Sequence, residues 1–331
     1  MPADGQLVHG LVSTIIPVYN RPLMLRDAVA SVLAQTYRPI EILVVDDGST
    51  DETPAVVADL ARAHPEVRPL RQKNAGPGVA RETGRRVARG EFLQHLDSDD
   101  LLLPRKCEVL VDALRRQPEC GAAYGKTRTM GGAEDARPRK RTGEALDRMF
   151  PAFLYERWWD TSTPLFRRRV TDAAGPWTLL WNQEDWEYDC RVAALGTRLA
   201  YRPEWVSEHR EHSGQRLHDR GSLRTRLEHC ASAHILMFGH AIAGDIVPGS
   251  DPMCHFSREL FLLCRQCGAE GLTQQARELH RLARLAAGRL GRRGDLALYR
   301  ALASVLGWRR MGSWSSVVDA IRHGGLRQAP I

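Results

Sequence analysis

Three groups of carboxylates stand out by position in the chain: Asp46-Asp47, Asp97-Ser98-Asp99-Asp100 and Glu184-Asp185. The first two follow short apolar runs, and the third opens a helical pattern. An apolar run that ends on acids suggests a parallel strand carrying side chains to one edge of a sheet. In open α/β sheets that carboxyl edge is where ligands bind. Carboxylates crowded together repel one another unless positive charge is near. A divalent cation bridging a diphosphate meets that need, with hard oxygen ligands on both sides. The chemistry expected from these residues is that of an enzyme handling nucleotides.

The elements that would position them alternate. Leu11 to Val18 reads as a buried strand, and Arg21 to Gln35 as a helix with Leu25, Val29 and Val32 on one face. Ile40 to Val45, interrupted by Glu41, is a second strand, and Ser49 or Thr50 is expected to cap a helix running to about Ala63. Val67 to Leu70 is a short third strand, and Asn74 to Gly78 turns into a helix through Ala88. Glu91 to Leu96 ends on the acidic cluster, Pro104 starts the next helix, and Gly121 to Tyr124 leads a fifth strand. This alternation implies βαβ units and a mainly parallel sheet. Gly131 to Arg148 reads as a loop or exposed hairpin, Phe150 to Trp186 as an irregular aromatic cover, and Glu184 to Leu195 as a helix. From about Gly221 the pattern is wholly helical, with four or five helices to about His323. Residues 1–220 are therefore expected to form one domain, with a nucleotide half at about 11–130 and an acceptor half at about 131–220. Residues 221–331 form a helical C-terminal region.

With 331 residues, 43% hydrophobic and 26% charged, the chain is long and apolar enough for a substantial core. Its net charge of +7 suits an anionic small ligand or an anionic membrane surface. It carries no basic stripe with stacking aromatics of the kind nucleic acid demands. The apolar stretch Ala231 to Val247 holds His234, His240 and Asp245 and falls short of a membrane span. The N-terminal residues do not read as a signal peptide. Seven cysteines without regular spacing point to reduced thiols and a cytoplasmic protein, soluble or peripheral on the inner face of a membrane. Cys264 and Cys267 lie in a helical pattern with no second pair and read as packing. Gly121 to Thr127 resembles a phosphate loop, but three residues, not four, separate its glycines.

Five segments, in order and spacing, carry a resemblance to a known family. They are Thr14-Ile15-Ile16-Pro17-Val18-Tyr19-Asn20, Val44 to Asp51, Asn74 to Arg81 followed by Gly90-Glu91-Phe92, Leu96 to Asp100, and Glu184-Asp185-Trp186-Glu187. Together they are similar to the family 2 glycosyltransferases, over roughly Val12 to Leu217. The resemblance implies the GT-A fold and inverting transfer of a sugar from a nucleotide-sugar. It implies that Asp97 holds the ribose, Asp99 the Mn2+ or Mg2+ ion with Ser98 between them, and Asp47 the base imide N–H, which favours UDP. Pro17, Tyr19 and Asn20 would wall the base and ribose. Arg81 would reach the diphosphate, although Glu82 stands where the family often has Asn. Asp185 would be the general base with Glu184 beside it, and His212 would complete the metal shell.

Each of these residues has a plainer reading. Asp97 to Asp100 is also an acidic helix-capping turn, Asp46 a turn aspartate bonding its own backbone, and Asp185 an acid favoured by a helix dipole. Trp158, Trp159, Trp177, Trp181 and Trp186 offer a sugar-stacking platform, with burial as the default for such large rings. Two rival functions remain at this stage: a nucleotidyltransferase acting on sugar phosphates, and a non-catalytic nucleotide-sugar binding protein. The acceptor stays open among glycan, lipid-linked sugar, protein and small molecule, and the helical region is assigned to acceptor binding, dimerisation or membrane docking.

Overall fold

The computed structural model describes residues 7–131, 137–211, 221–288 and 293–323. By compactness the chain divides into two units. The first comprises Met1–Met149, Arg157–Leu179 and Leu195–Ser213, and the second comprises Phe150–Glu156, Leu180–Ala194 and Gly214–Ile331.

The first unit is built on one eight-stranded sheet. Its strands are β1 (Val8–Val18), β2 (Ile40–Asp46), β3 (Val67–Arg71), β4 (Gly90–His95), β5 (Leu101–Leu102), β6 (Cys120–Thr129), β7 (Leu165–Arg167) and β8 (Arg198–His209). They lie in the order β3-β2-β1-β4-β7-β6-β8-β5. β1 to β4 run parallel, as do β6 and β8, while β7 is antiparallel to both of its neighbours and β5 to β8. The helices are α1 (Pro22–Leu33), α2 (Thr53–Ala63), α3 (Pro77–Val87), α4 (Lys106–Arg116) and α5 (Arg168–Ala174). The expected α/β architecture with a mainly parallel sheet is the one observed.

Side-chain parity divides the core into two layers. Val12, Ile16, Val18, Ile42, Val44 and Phe92 point to one face, packed with Leu25, Val29 and Val32 of α1, Val56, Val57 and Leu60 of α2, and Leu110 and Leu114 of α4. Ile15, Leu43, Val45 and Leu93 point to the other, against Ala80 of α3. Burying each such aliphatic side chain contributes about 1.5–3 kcal/mol, so apolar residues on both parities are what place β1 and β2 inside the sheet. α3 crosses β1 so closely that a Cβ on Gly84 would stand 2.5 Å from Ile15 Cγ2. Glu41, the polar interruption in β2, is buried but fully compensated. It accepts from Ser13 Oγ at 2.6 Å and Arg89 N–H at 2.7 Å, and pairs with Arg68 and Arg89.

Several elements depart from the sequence reading. Neither Ser49 nor Thr50 caps α2; the Asp51 carboxylate accepts from Thr53 N–H at 2.9 Å instead. The next helix begins at Lys106, not at Pro104, because Leu101–Leu102 first pairs with β8 and Leu103 N–H bonds Val206 O. β7 and α5 fall inside the stretch expected to be irregular, and β8 was not anticipated. β8 contains Pro203, and its pairing with β6 shifts register between Tyr124↔Tyr201 and Lys126↔Trp205, which breaks the alternation a strand would display.

The second unit is helical: α6 (Glu184–Ala194), α7 (Leu223–Ala243), α8 (Asp251–Ala269), α9 (Thr273–Ala286), α10 (Arg293–Leu306) and α11 (Trp308–His323), with a 3-10 turn at Ala152–Leu154. Ser222 caps α7, its Oγ accepting from Thr225 N–H at 3.1 Å. Glu187 of α6 is buried and pairs with Arg191 at 2.7 Å and His240 of α7 at 2.8 Å. Trp186 Nε1–H donates to Phe153 O at 2.8 Å. Cys264 and Cys267 are buried free thiols whose burial raises their pKa values, that of Cys267 to about 12, so packing is their role. Among the described residues no helix is long and apolar enough to cross a membrane.

Candidate functional site

The loops that follow β1, β2 and β4 meet at the carboxyl edge of the sheet and carry most of the residues singled out by the sequence. β1 ends at Val18, and its last register pair with β4 is Ile15↔His95, so the missing N–H of Pro17 costs no ladder bond to β4. Asn20 takes a left-handed backbone (φ 52) and staples the neighbouring loop. Its N–H donates to Ser49 Oγ at 2.9 Å, and its Oδ1 accepts from Thr50 N–H at 2.8 Å. Tyr19 is half-buried between them in sequence.

Asp46 and Asp47 close β2 with separate tasks. Asp46 Oδ1 accepts from Ser49 N–H at 2.9 Å, the turn geometry expected of it, and its Oδ2 lies 3.3 Å from Arg71 Nε. Asp47 reaches across to the loop before α3. Its Oδ1 accepts from Gln72 Nε2 at 2.8 Å and Ala75 N–H at 2.9 Å, and its Oδ2 from Gly76 N–H at 2.9 Å. Burial raises the Asp47 pKa, against the lowering effect of those three donors. The approach is close: a Cβ on Gly48 (φ 76) would stand 2.7 Å from Asn74 N. Asp47 thus fixes the entry of α3, and with it the position of Arg81 one turn further on.

Arg81 is buried and lies 4.8 Å above the ring of Trp177, which meets His95 edge-on at 5.0 Å. Burial and the Arg81 and Arg85 charges depress the His95 pKa to about 3, so the imidazole is neutral and packs as a flat polar plate. From this seat Arg81 Nη2 donates to Asp97 Oδ1 at 2.7 Å. Glu82, the departure from the family pattern, is occupied with Arg85 at 2.8 Å and Arg86 at 2.9 Å and leaves Arg81 to Asp97.

The loop after β4 is tied down from below. Asp97 N–H donates to Ser162 Oγ, and Ser162 Oγ–H donates to Asp100 Oδ2 at 2.7 Å. Asp100 Oδ1 lies 3.0 Å from His209 Nδ1 and accepts from Arg210 N–H. Burial lowers the His209 pKa, and the Asp100 carboxylate beside it more than reverses this, so the net shift is upward. Ser98 is buried. Beneath them Lys106 is fully buried, its Nζ donating to the carbonyls of Ser162 and Thr163, and burial lowers its pKa to about 7. Asp99 Oδ2 accepts a hydrogen bond from Arg21 Nη1.

The structure therefore brings Pro17, Asn20, Asp47, Arg81, Asp97, Ser98 and Asp99 onto the ends of neighbouring elements of one unit. Glu184 and Asp185 belong to the second unit, in the first turn of α6, with Glu184 buried and Asp185 Oδ1 accepting from Trp186 N–H at 2.7 Å. His212 lies outside the described residues. Of the tryptophans, Trp158, Trp159, Trp177 and Trp186 are buried, and Trp181 is half-buried.

Arg21, Ser162 and His209 were not among the residues expected, and Trp177, expected as a sugar-stacking or buried ring, is buried and seats Arg81. Arg21 directly follows Asn20 and so carried a local signal, whereas Ser162 enters the site from β7's approach with none.

The charges here are paired. Asp46 holds Arg71, Asp97 holds Arg81 and Asp99 holds Arg21. Mutual repulsion of the carboxylates alone thus does not demand a metal ion. Among the described residues no group of three or more His, Cys, Asp or Glu side chains converges as a metal shell. What Asp97 and Asp99 do offer is hard oxygen donors beside the guanidinium groups of Arg81 and Arg21, a set that fits Mg2+ or Mn2+ when diphosphate oxygens supply the remaining ligands.

Residues 13–171 match the model described as glycosyl transferase family 2. A chondroitin synthase of Escherichia coli is 38% identical over 120 residues, which are 36% of this chain and 18% of that protein. An uncharacterized glycosyltransferase of Nostoc sp. is 39% identical over 114 residues, 34% of this chain and 35% of that protein. The aligned part thus spans only between a sixth and about a third of the length of the curated relatives. The fold is that of S. aureus TarS 1-349, crystallised in complex with UDP-GlcNAc, at a TM-score of 0.69. That similarity covers 96% of this chain and 93% of the other at 16% sequence identity.

Proposed function

The chain belongs to glycosyl transferase family 2 and has the GT-A fold, and we propose that it transfers a sugar from a UDP-linked donor to an acceptor hydroxyl with inversion at the anomeric carbon. The observation that carries this reading is the convergence of Asp47, Arg81, Asp97 and Asp99 on the carboxyl edge of one sheet, with Arg81 and Arg21 already aimed at the carboxylates. Pro17, Tyr19 and Asn20 flank the base and ribose. Asp47 uses Oδ2 for one loop bond only, and a second lone pair on that oxygen suits the imide N–H of uracil. Asp97 takes the ribose hydroxyls. Arg81, and Arg21 once it exchanges Asp99 for phosphate, bind the diphosphate.

Asp99, with His212, is the residue to hold Mg2+ or Mn2+, which when bound screens charge on the departing diphosphate. Asp185 serves as general base: its carboxylate takes the proton as the acceptor oxygen attacks carbon one, and the C1–O bond to the diphosphate breaks on the opposite face. The Trp186 N–H on Oδ1 fixes its rotamer, and Glu184 positions it.

The test is a panel of UDP-, GDP- and dTDP-sugars, read by thermal shift with Mn2+ and with EDTA. Stabilisation by UDP-sugars alone, strengthened by Mn2+, supports the reading. Equal shifts for all three bases remove the assignment of Asp47 to the base. Asp185→Asn should keep the donor shift and lose donor turnover; loss of both would place Asp185 outside the role of base.

A further inference from the structure

α10 carries two apolar stripes, one buried and one exposed. On α10 Leu296, Tyr299 and Ala303 are buried, at the spacing of one helical face. Leu298, Leu302 and Val305 follow a second stripe at intervals of four and three, and they are exposed, Leu298 to 61% and Val305 to 83%. Leu306 is also exposed, and α11 adds Trp314, 70% exposed. A surface helix normally turns polar residues outward, so a second apolar stripe needs an apolar medium or partner.

The charge of the surrounding segment says which. By sequence, residues 273–323 carry ten arginines and no lysine against Glu278, Asp295 and Asp319, which accounts for the whole net charge of +7. The rest of the chain is balanced. Arg309 and Arg310 are exposed on α11, Arg310 one turn before Trp314 on the same face. A second copy meeting this face would set two strongly basic surfaces against each other. A nucleic acid would meet the arginines but gain nothing from Leu298, Leu302 and Val305. An anionic bilayer satisfies both, with phosphate headgroups against guanidinium groups and acyl chains against the stripe, and an exposed tryptophan suits the boundary between them.

We propose that α10 and α11 form a docking surface for an anionic phospholipid bilayer, with α10 lying in the membrane plane. The surface is built from second-unit residues, none of which takes part in the donor chemistry proposed above.

Co-flotation of the full chain with vesicles tests it, using phosphatidylcholine alone and with about 30% phosphatidylglycerol. The expected result is partition onto the anionic vesicles only, weakened by high salt. In the double variant L298E/V305E, partition should fall at least about tenfold, and Arg309→Gln with Arg310→Gln should lower it several-fold. Both variants should keep the wild-type far-UV dichroism, melting temperature and UDP-sugar thermal shift, which separates this surface from the donor site. Equal partition onto both vesicle types, or none onto either, overturns the proposal. So does a wild-type dimer in sedimentation that L298E/V305E dissociates without any lipid binding, which would assign the stripe to a second copy.

Discussion

Replacing Asp47 by Asn tests whether this carboxylate builds the site as well as serving it. Its oxygens accept from Gln72 Nε2, Ala75 N–H and Gly76 N–H, all between 2.8 and 2.9 Å. An asparagine keeps one oxygen. In its better orientation that oxygen retains Gln72 and Ala75, and the amide N–H2 is turned onto the Gly76 N–H, donor against donor. A buried donor left without an acceptor costs about 1–3 kcal/mol, and the two retained bonds lose charge assistance. The carboxylate's own burial penalty, which raises its pKa, disappears in the amide and returns part of that cost. The net expectation is a loss of about 2 kcal/mol in unfolding free energy at pH 7, or roughly 4–8 °C in melting temperature. Urea unfolding followed by far-UV dichroism measures the first and calorimetry the second. UDP binding should weaken as well, because Arg81 depends on the same loop. The refuting result is a variant that unfolds within about 0.5 kcal/mol of wild type while losing UDP binding. That would make Asp47 a ligand group with no part in holding α3.

Other expectations follow from single contacts. Arg81→Met removes the donor to Asp97, and UDP-sugar affinity measured by calorimetry should fall about ten- to a hundredfold, while Arg81→Lys, which keeps charge but stacks poorly on Trp177, should fall in between. Equal losses for Lys and Met would show that charge does not matter there. Arg21→Gln frees Asp99 of its guanidinium, so Mn2+ bound without donor, read by electron paramagnetic resonance, should tighten by about tenfold; weaker Mn2+ binding would remove Asp99 from the metal assignment. Asp160 is buried, which would raise its pKa, but Lys140 and Arg139 overcome that and hold it at about 2. A carboxyl depressed on folding adds stability that is present above its unfolded pKa near 4 and is lost as pH falls toward 2. Asp160→Asn should therefore cost about 2 kcal/mol at pH 7, a difference that closes between pH 4 and 2 in urea titrations, and a difference independent of pH would contradict the pairing.

What the sequence disclosed of the fold follows from where its patterns are local. β1 to β4 and α1 to α3 are written in apolar runs and turn residues that need no distant partner to be read. β8 is not, because Pro203 and a register shift interrupt its alternation, and the strand exists by virtue of β6 beside it. The same division holds in the site. Asp47, Asp97 and Asp99 lie just past strand ends and were legible as acids after apolar runs, while Arg81 sits in α3 behind a Gly-rich turn and was legible through the family resemblance. Ser162, which ties Asp97 to Asp100, lies 65 positions from Asp97 with nothing in its neighbourhood to mark it, and Trp177, singled out only as a large ring, lies 96 positions from the Arg81 it seats. The charge balance of the crowded carboxylates was equally hidden from the sequence, because the fold supplies an arginine to each of Asp46, Asp97 and Asp99.

On the donor reading proposed above, those pre-formed pairs set how the donor's phosphates enter. A phosphate approaching this edge meets guanidinium groups that are already satisfied, so capture is an exchange of one acceptor for another and the number of ionic contacts hardly changes. Long-range attraction is correspondingly small, and donor affinity should respond only weakly to ionic strength, in contrast with an open cationic pocket. Selectivity then rests on geometry at close range, where a bidentate oxyanion fits a guanidinium better than the single carboxylate oxygen it displaces.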